Sequence, residues 1–97
     1  MKDPVAEALQ IQYEAAAIGF DWNHADELWA KLQEEIGELR EAVGFTQECV
    51  NGAPALGSKR GQGEARVLDE FGDLLFVVLN LSRHLKLDPV QALAQAN

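Results

Sequence analysis

Apolar residues recur at helical spacing over a segment that we predict to run from about Glu64 to Lys86. The apolar positions are Val67, Leu68, Phe71, Leu74, Leu75, Val78, Leu81 and Leu85. At about 100° per residue, they cover more than half of the helix circumference. A helix with so wide an apolar arc is buried on most of its sides, so we predict that this helix is central to the fold.

A narrow polar strip follows the same predicted helix. It contains Glu70, Asp73, Asn80 and His84. Glu70 and Asp73 are one turn apart, and carboxylates are rarely buried unless they are paired or bound to a metal. Two acids on an otherwise apolar helix therefore predict a bound cation, with further ligands from another part of the chain.

A second periodic segment, from about Ala25 to Val43, offers such ligands. Its apolar stripe consists of Leu28, Trp29, Leu32, Ile36, Leu39 and Val43. Side chains three and four positions apart share one side of a helix, so Lys31, Glu35 and Glu38 point the same way. Glu34 lies further round, nearer solvent. Packing of the two apolar stripes would place this acidic edge opposite the acids of the polar strip.

The remaining segments complete an all-α chain. A first helix should run from Asp3, which caps it, to about Ile18, and a fourth should begin at Pro89 after its cap Asp88. We expect a surface loop over Phe45–Gln62, because this stretch contains several Gly, Pro and Asn residues and no helical period. No stretch alternates with a period of two residues, so no sheet is predicted.

Length and burial together predict a helical bundle of about four helices per chain, packed as an oligomer. A chain of 97 residues is one domain, covering residues 1–97. The apolar faces need more cover than so short a chain provides, so we expect a homodimer or a homotetramer. Trp29, in the apolar stripe, should lie in the core.

The net charge of −8 limits the partners. It argues against a nucleic acid polymer, which binds basic surfaces, but allows a nucleotide, since Mg²⁺ bridges acidic protein groups and phosphates. No apolar run is long enough to span a membrane, so no membrane partner is expected. The single cysteine, Cys49, fits a reducing compartment, and we expect a cytoplasmic protein.

Ordered motifs along the chain resemble those of the MazG-like nucleotide pyrophosphohydrolases. The motifs are Glu34-Glu35-x-x-Glu38, Glu70-x-x-Asp73, Gly19-Phe20-Asp21-Trp22, Gly72-Asp73-Leu74-Leu75-Phe76, Asn80-Leu81-Ser82-Arg83-His84-Leu85, Asp88-Pro89 and Ala92-Leu93. Together they cover most of the chain from Phe20 to Asn97. Two features depart from the family pattern: the Gly-rich segment between the acidic motifs is longer, and we expect the basic, aromatic segment that usually follows to be lacking.

The resemblance implies an all-α, oligomeric enzyme that uses Mg²⁺, with Mn²⁺ as a substitute. It would hydrolyse nucleoside triphosphates to the monophosphate and pyrophosphate, and so control or clean the nucleotide pool. The metal ligands would be Glu35, Glu38, Glu70 and Asp73, of which Glu35 also counts as catalytic. Glu34 would bind a second ion or act as the base for the attacking water.

Three more residues are candidates for substrate contacts. Lys31 would hold phosphate or form an ion pair with a glutamate one turn away. Asn80 would bind sugar or base, or be a satisfied buried amide. Trp22 would form a wall for the nucleobase, or serve packing alone. We assign His84 a structural role, and Arg83, pointing away from the polar strip, a surface or subunit contact.

A function from another class stays open. The alternative is a catalytically silent acidic helical module that dimerises and binds a partner through its charged face. A di-iron bundle fits less well, because neither acidic motif contains the Glu-x-x-His pair of such proteins. Metal-dependent release of pyrophosphate would separate the enzyme from the silent module.

Overall fold

The secondary structure of the described chain is helical throughout. The computed structural model describes residues 3–48 and 57–97. In chain order, its helices are α1 (Pro4–Ala17), α2 (Ala25–Glu48), α3 (Gly57–His84) and α4 (Pro89–Ala96). These two ranges contain no strand, which confirms the all-α prediction there. None of their helices combines the length and the apolarity that crossing a membrane requires.

The ends of α1 are those that the sequence predicts. The Asp3 carboxylate accepts a hydrogen bond from the backbone N–H of Val5 at 3.0 Å, which caps the first turn. After the last turn, Gly19 has a φ of 93°, a left-handed conformation that glycine adopts without steric cost. The N–H of Phe20 then donates to the carbonyl of Ala15 at 2.8 Å, the long bond of a Schellman motif.

The turn between α3 and α4 uses the same chemistry with one difference. The Asp88 carboxylate accepts a hydrogen bond from the N–H of Val90 at 2.9 Å, which confirms it as the cap of α4. Just before it, the N–H of Leu87 donates to the carbonyl of Ser82 at 2.9 Å. Lys86 lies between, with a φ of 60°, so a lysine holds the left-handed position that glycine usually takes.

Replacing Lys86 by glycine should therefore stabilise the protein. A left-handed backbone costs an L-residue about 1–2 kcal/mol, and the freedom of glycine in the unfolded chain cancels part of the gain. We expect a net increase of about 0.5–1 kcal/mol in the free energy of unfolding, measured in urea. Lys86→Ala is the matched control, because it removes the same side chain but keeps the Cβ. An equal gain in the alanine variant would contradict the backbone argument.

Both long helices extend further than the sequence predicts. α2 continues through Gly44 to Glu48, and α3 begins at Gly57 instead of near Glu64. The two ends of the predicted Phe45–Gln62 loop are therefore helical, while residues 49–56 lie outside the described ranges. Each residue added to an existing helix gains a hydrogen bond without a new nucleation step, so weak helix formers such as glycine do not by themselves end a helix.

Contacts divide the chain into two compact groups of residues. The terminal group comprises Met1–Lys31 and Phe76–Asn97, and the central group comprises Leu32–Leu75. In the terminal group, the apolar side chains of Leu28, Val77 and Leu81 are buried. Buried Gln12 of α1 also donates from Nε2 to the carbonyl oxygen of Phe76 at 3.0 Å, which ties α1 to α3. The prediction of a single domain over residues 1–97 stays a prediction.

Many large apolar side chains of α2 and α3 are exposed in the protomer. They include Trp29, Ile36, Leu68, Phe71, Leu75 and Val78. Trp29 is 49% exposed, so its predicted place in the core is wrong for the single chain, and α3 is not buried on most of its sides. A helical period identifies an apolar face, but it does not identify the surface that covers it.

Candidate metal centre

Three glutamates from two helices meet within the central group. Glu35 and Glu38 are three residues apart on α2 and so share one side of it, and Glu70 lies on α3. One carboxylate oxygen of each residue lies within 4.8 Å of those of the other two. Glu35 is buried, and Glu38 and Glu70 are half-buried. The structure thus brings together three of the five acids that the sequence predicts to act together.

This set of donors fits a hard divalent cation. Mg²⁺ and Mn²⁺ prefer carboxylate oxygens as ligands. In the described chain, the Oε2 atom of Glu70 is buried and has no hydrogen-bond partner, an arrangement that costs free energy until a cation or water satisfies it. A cation would also relieve the mutual repulsion of clustered carboxylates. These three side chains are therefore the ones that would hold such an ion.

Two predicted acids do not belong to this group of three. Asp73, one turn after Glu70 on α3, is exposed, and so is Glu34 on α2. Neither contributes an oxygen to the three-carboxylate group. The expected burial of Asp73 is wrong, because the apolar face beside it is itself partly exposed. Its role as a metal ligand, like the role of Glu34 as a base, stays a prediction.

The predicted substrate-binding residues all belong to the terminal group. Lys31 and Trp22 are half-buried, and Asn80 is only 8% exposed. The side-chain oxygen of Asn80 accepts a hydrogen bond from Nη2 of Arg83 at 2.7 Å, so one half of this amide is satisfied by the protein. Contact between any of the three residues and a nucleotide stays a prediction.

Asp21 is the centre of a charged network that the sequence did not predict. Its carboxylate accepts hydrogen bonds from both terminal nitrogens of Arg83, with Nη1 at 3.1 Å and Nη2 at 2.6 Å, which is a bidentate pair. The same carboxylate accepts the backbone N–H of Trp22 at 2.8 Å and lies 3.0 Å from Nε2 of His84. Chiefly because of Arg83, and then of these two neighbours, the pKa of Asp21 lies well below its usual range.

Arg83 is held on several sides. Its side chain is 9% exposed, its guanidinium carbon lies 5.5 Å from the centre of the Tyr13 ring, and Nη2 donates to both Asp21 and Asn80. The predicted surface position of Arg83 is therefore wrong, and its predicted subunit contact stays a prediction. The structural role of His84 fits its contact with Asp21. Asp21 and Arg83 are 62 positions apart, so no helical spacing could have connected them.

The helices and the acidic cluster define an all-α protein with a candidate site for a divalent cation. Comparison with curated proteins finds a nucleoside triphosphate pyrophosphohydrolase/pyrophosphatase MazG of Thermotoga maritima that is 36% identical over 89 residues, which is 92% of this chain and 28% of that protein. A nucleoside triphosphate pyrophosphohydrolase of Escherichia coli K12 is 34% identical over 90 residues, or 93% of this chain and 29% of that protein.

The chain thus spans less than a third of the length of the curated relatives it matches. No protein-family profile matches it, and no solved structure matches it either. Across nearly its whole length it is nevertheless related to one region of those longer proteins. The chain is therefore MazG-like, as its motifs indicate.

Proposed function

We propose that this chain is an Mg²⁺-dependent nucleoside triphosphate pyrophosphohydrolase, which converts ribo- or deoxyribonucleoside triphosphates to the monophosphate and pyrophosphate. The observation that carries the proposal is the group of three carboxylates formed by Glu35, Glu38 and Glu70. In this group, the buried Oε2 atom of Glu70 has no hydrogen-bond partner. The names of the related proteins support the reaction. Clearing of the nucleotide pool in the cytoplasm is the role that fits this activity.

The acidic residues have separate tasks in this proposal. Glu35, Glu38 and Glu70 hold the ion, and Asp73 adds a further oxygen from the next turn of α3. A bound Mg²⁺ supplies charge stabilisation at the attacked phosphate and lowers the pKa of a bound water. The oxygen of the water attacks the α-phosphorus, and Glu34 accepts the proton that this water loses. The bond between the α-phosphorus and the bridging oxygen then breaks, and pyrophosphate leaves with the electron pair.

The polar and aromatic residues of the terminal group bind the substrate in this proposal. Lys31 pairs with phosphate oxygens, Trp22 offers its ring to the nucleobase, and Asn80 donates a hydrogen bond to the nucleotide. The chain has a net charge of −8, and the field of this negative charge repels a triphosphate. The positive charge of Lys31 would offset that repulsion at the phosphates.

A panel of ribo- and deoxyribonucleoside triphosphates tests the proposal. With Mg²⁺, we expect monophosphate and pyrophosphate in equal amounts from at least one of them, and we expect EDTA to stop the reaction. Chromatography of the products distinguishes cleavage at the α-phosphate from release of single phosphates. Absence of hydrolysis over the whole panel with Mg²⁺ and with Mn²⁺ would overturn the proposal and favour the silent partner-binding module.

Asp73→Asn tests whether the exposed acid of α3 completes the metal site. We expect the rate of hydrolysis to fall by at least about tenfold, in line with the effect of weakened metal sites, while the unfolding temperature without metal is unchanged. Asp69→Asn is the control, because Asp69 is another exposed acid of α3. Full activity of the Asp73 variant would remove this residue from the site and leave the three glutamates in place.

We also propose that the chain forms a homodimer or a homotetramer. On α3, Leu68, Phe71 and Leu75 are 73%, 48% and 50% exposed, and an apolar patch of this kind is usual where proteins associate. Light scattering at micromolar concentration should give a mass of at least twice 10.6 kDa. Phe71→Glu should lower the mass to that of a monomer, whereas Leu93→Glu on α4 should not. A folded wild-type monomer would contradict the proposal.

A further inference from the structure

The side-chain amide of Asn80 has a fixed direction. A guanidinium group carries only hydrogen-bond donors, so the atom of Asn80 that lies 2.7 Å from Nη2 of Arg83 must be the amide oxygen. The nitrogen, with its two hydrogens, therefore occupies the other edge of the carboxamide plane. In the described part of the chain, no other residue accepts a hydrogen bond from this nitrogen. The protein thus fixes the direction of this donor and leaves the donor itself to water or to a ligand.

The residues that fix this direction are themselves fixed. Nη2 of Arg83 donates to Asn80 and to Asp21, and Nη1 donates to the second oxygen of Asp21. The ring of Tyr13 lies against the guanidinium, and burial of all but 9% of the Arg83 side chain restricts other rotamers. Because charged hydrogen bonds are stronger than neutral ones, rotation of the Asn80 amide would break a strong contact and leave two donors facing each other.

The same network reaches the aromatic segment before α2. The oxygen of Asp21 that binds Nη2 of Arg83 also accepts the backbone N–H of Trp22. Trp22 and Asn80 are thus tied to one carboxylate–guanidinium pair, although 57 intervening residues separate them in sequence. A ring that offers a face and an amide that offers donors suit a nucleobase, which has an apolar face and hydrogen-bond acceptors on its edge.

We propose that Asn80 is the residue that donates a hydrogen bond to an acceptor atom of the nucleobase, and that Asp21 and Arg83 are positioning residues that hold its amide in the donor direction. This inference rests on the proposed function, because the ligand is the nucleotide substrate. It specifies which edge of the amide faces the base and which residues determine that edge.

Asn80→Asp separates a role in recognition from a structural role. Aspartate has the shape of asparagine and keeps an oxygen for Arg83, so the fold should persist. It replaces the donor edge by a charged acceptor. We expect KM to rise by at least about tenfold, because a lost hydrogen bond is replaced by repulsion, with a much smaller change in kcat. Gln91→Glu, the same chemical change on an exposed part of α4, should leave KM unaltered.

Asp21→Asn tests the positioning role. It removes the charge that holds Arg83 but leaves Asn80 unchanged. We expect KM to rise by about three- to tenfold. Combined with Asn80→Asp, it should add almost nothing, because both changes act on one contact. Asp21→Glu keeps the charge and should restore part of the affinity. In the free protein, the side-chain amide signals of Asn80 in a nitrogen-15 NMR spectrum should shift in Asp21→Asn.

The outcomes distinguish this inference from the proposed function. Wild-type hydrolysis with an unaltered KM in Asn80→Asp would overturn the recognition role of Asn80 and leave the activity standing. Additive effects of Asp21→Asn and Asn80→Asp, or unmoved Asn80 amide signals, would overturn the positioning role of Asp21. Absence of nucleotide hydrolysis by the wild-type chain would overturn the proposed function and this inference with it.

Discussion

Glu70→Gln should reduce hydrolysis of a nucleoside triphosphate by at least about 100-fold, the upper end of what changes around a metal site cost. Glutamine keeps the size of the side chain and one acceptor oxygen, but it removes the charge. The Glu70 oxygen that is buried without a hydrogen-bond partner is the group best placed to need a cation. Loss of its charge should weaken metal binding, and with it the stabilisation of charge on the reacting phosphate.

The same variant should change how stability responds to Mg²⁺. An ion that binds only the folded state stabilises it, by about 2.7 kcal/mol at a concentration one hundred times Kd. The unfolding temperature of the wild-type protein should therefore rise on addition of Mg²⁺, and that of Glu70→Gln should rise much less. Without metal, the variant should be at least as stable as the wild type, because one of three neighbouring carboxylates has lost its charge.

Glu41→Gln is the matched control for Glu70→Gln. Glu41 is an exposed acid of α2, so its neutralisation changes the net charge equally but leaves the cluster intact. Its activity and its response to Mg²⁺ should equal those of the wild type. Wild-type activity of Glu70→Gln would contradict the metal centre, and so would a large loss of stability in the absence of Mg²⁺, which would indicate that Glu70 pairs with a cation of the protein.

Local rules predicted the parts of the fold in which neighbours along the chain interact. The caps of α1 and α4 require only an aspartate and the turn that follows it. The meeting of Glu35 and Glu38 with Glu70 also follows from local spacing, because apolar stripes determine which sides of two helices face each other.

Contacts between distant residues could not be predicted in this way. Asp21 stands in a short aromatic connection, and nothing in its surroundings indicates that it binds Arg83 near the end of α3. The exposure of Trp29 and Phe71 has a different cause, because the pattern of apolar residues is the same whether a face is covered within the protomer or by another copy. The exposure of Asp73 follows from the same open face.

Arg83→Met should lower the free energy of unfolding by about 2–3 kcal/mol. Methionine is similar in length and apolar, so the change mainly removes charge and hydrogen bonds. Breaking a fully buried ion pair costs about 3–5 kcal/mol. We expect a smaller loss of stability here, because the side chain of Asp21 is 27% exposed and water can reach it once Arg83 is replaced. Lys86→Met, an exposed cation three residues later, is the control and should cost far less.

Acidification should reduce the difference in the free energy of unfolding between the wild type and Arg83→Met. Arg83 holds the pKa of Asp21 below its usual range in the folded state, whereas the unfolded chain has the ordinary value near 3.9. Above that value Asp21 is charged in both states, so the ion pair contributes its full stability. Below it, the unfolded chain binds a proton that the folded chain does not, and the contribution of the ion pair to stability falls as the pH falls.

Urea unfolding of both proteins between pH 7 and pH 3 measures this contribution. The difference in unfolding free energy should be constant down to about pH 5 and shrink below about pH 4. A difference that grows on acidification, or that is absent at pH 7, would show that the pair of Asp21 and Arg83 does not stabilise the fold.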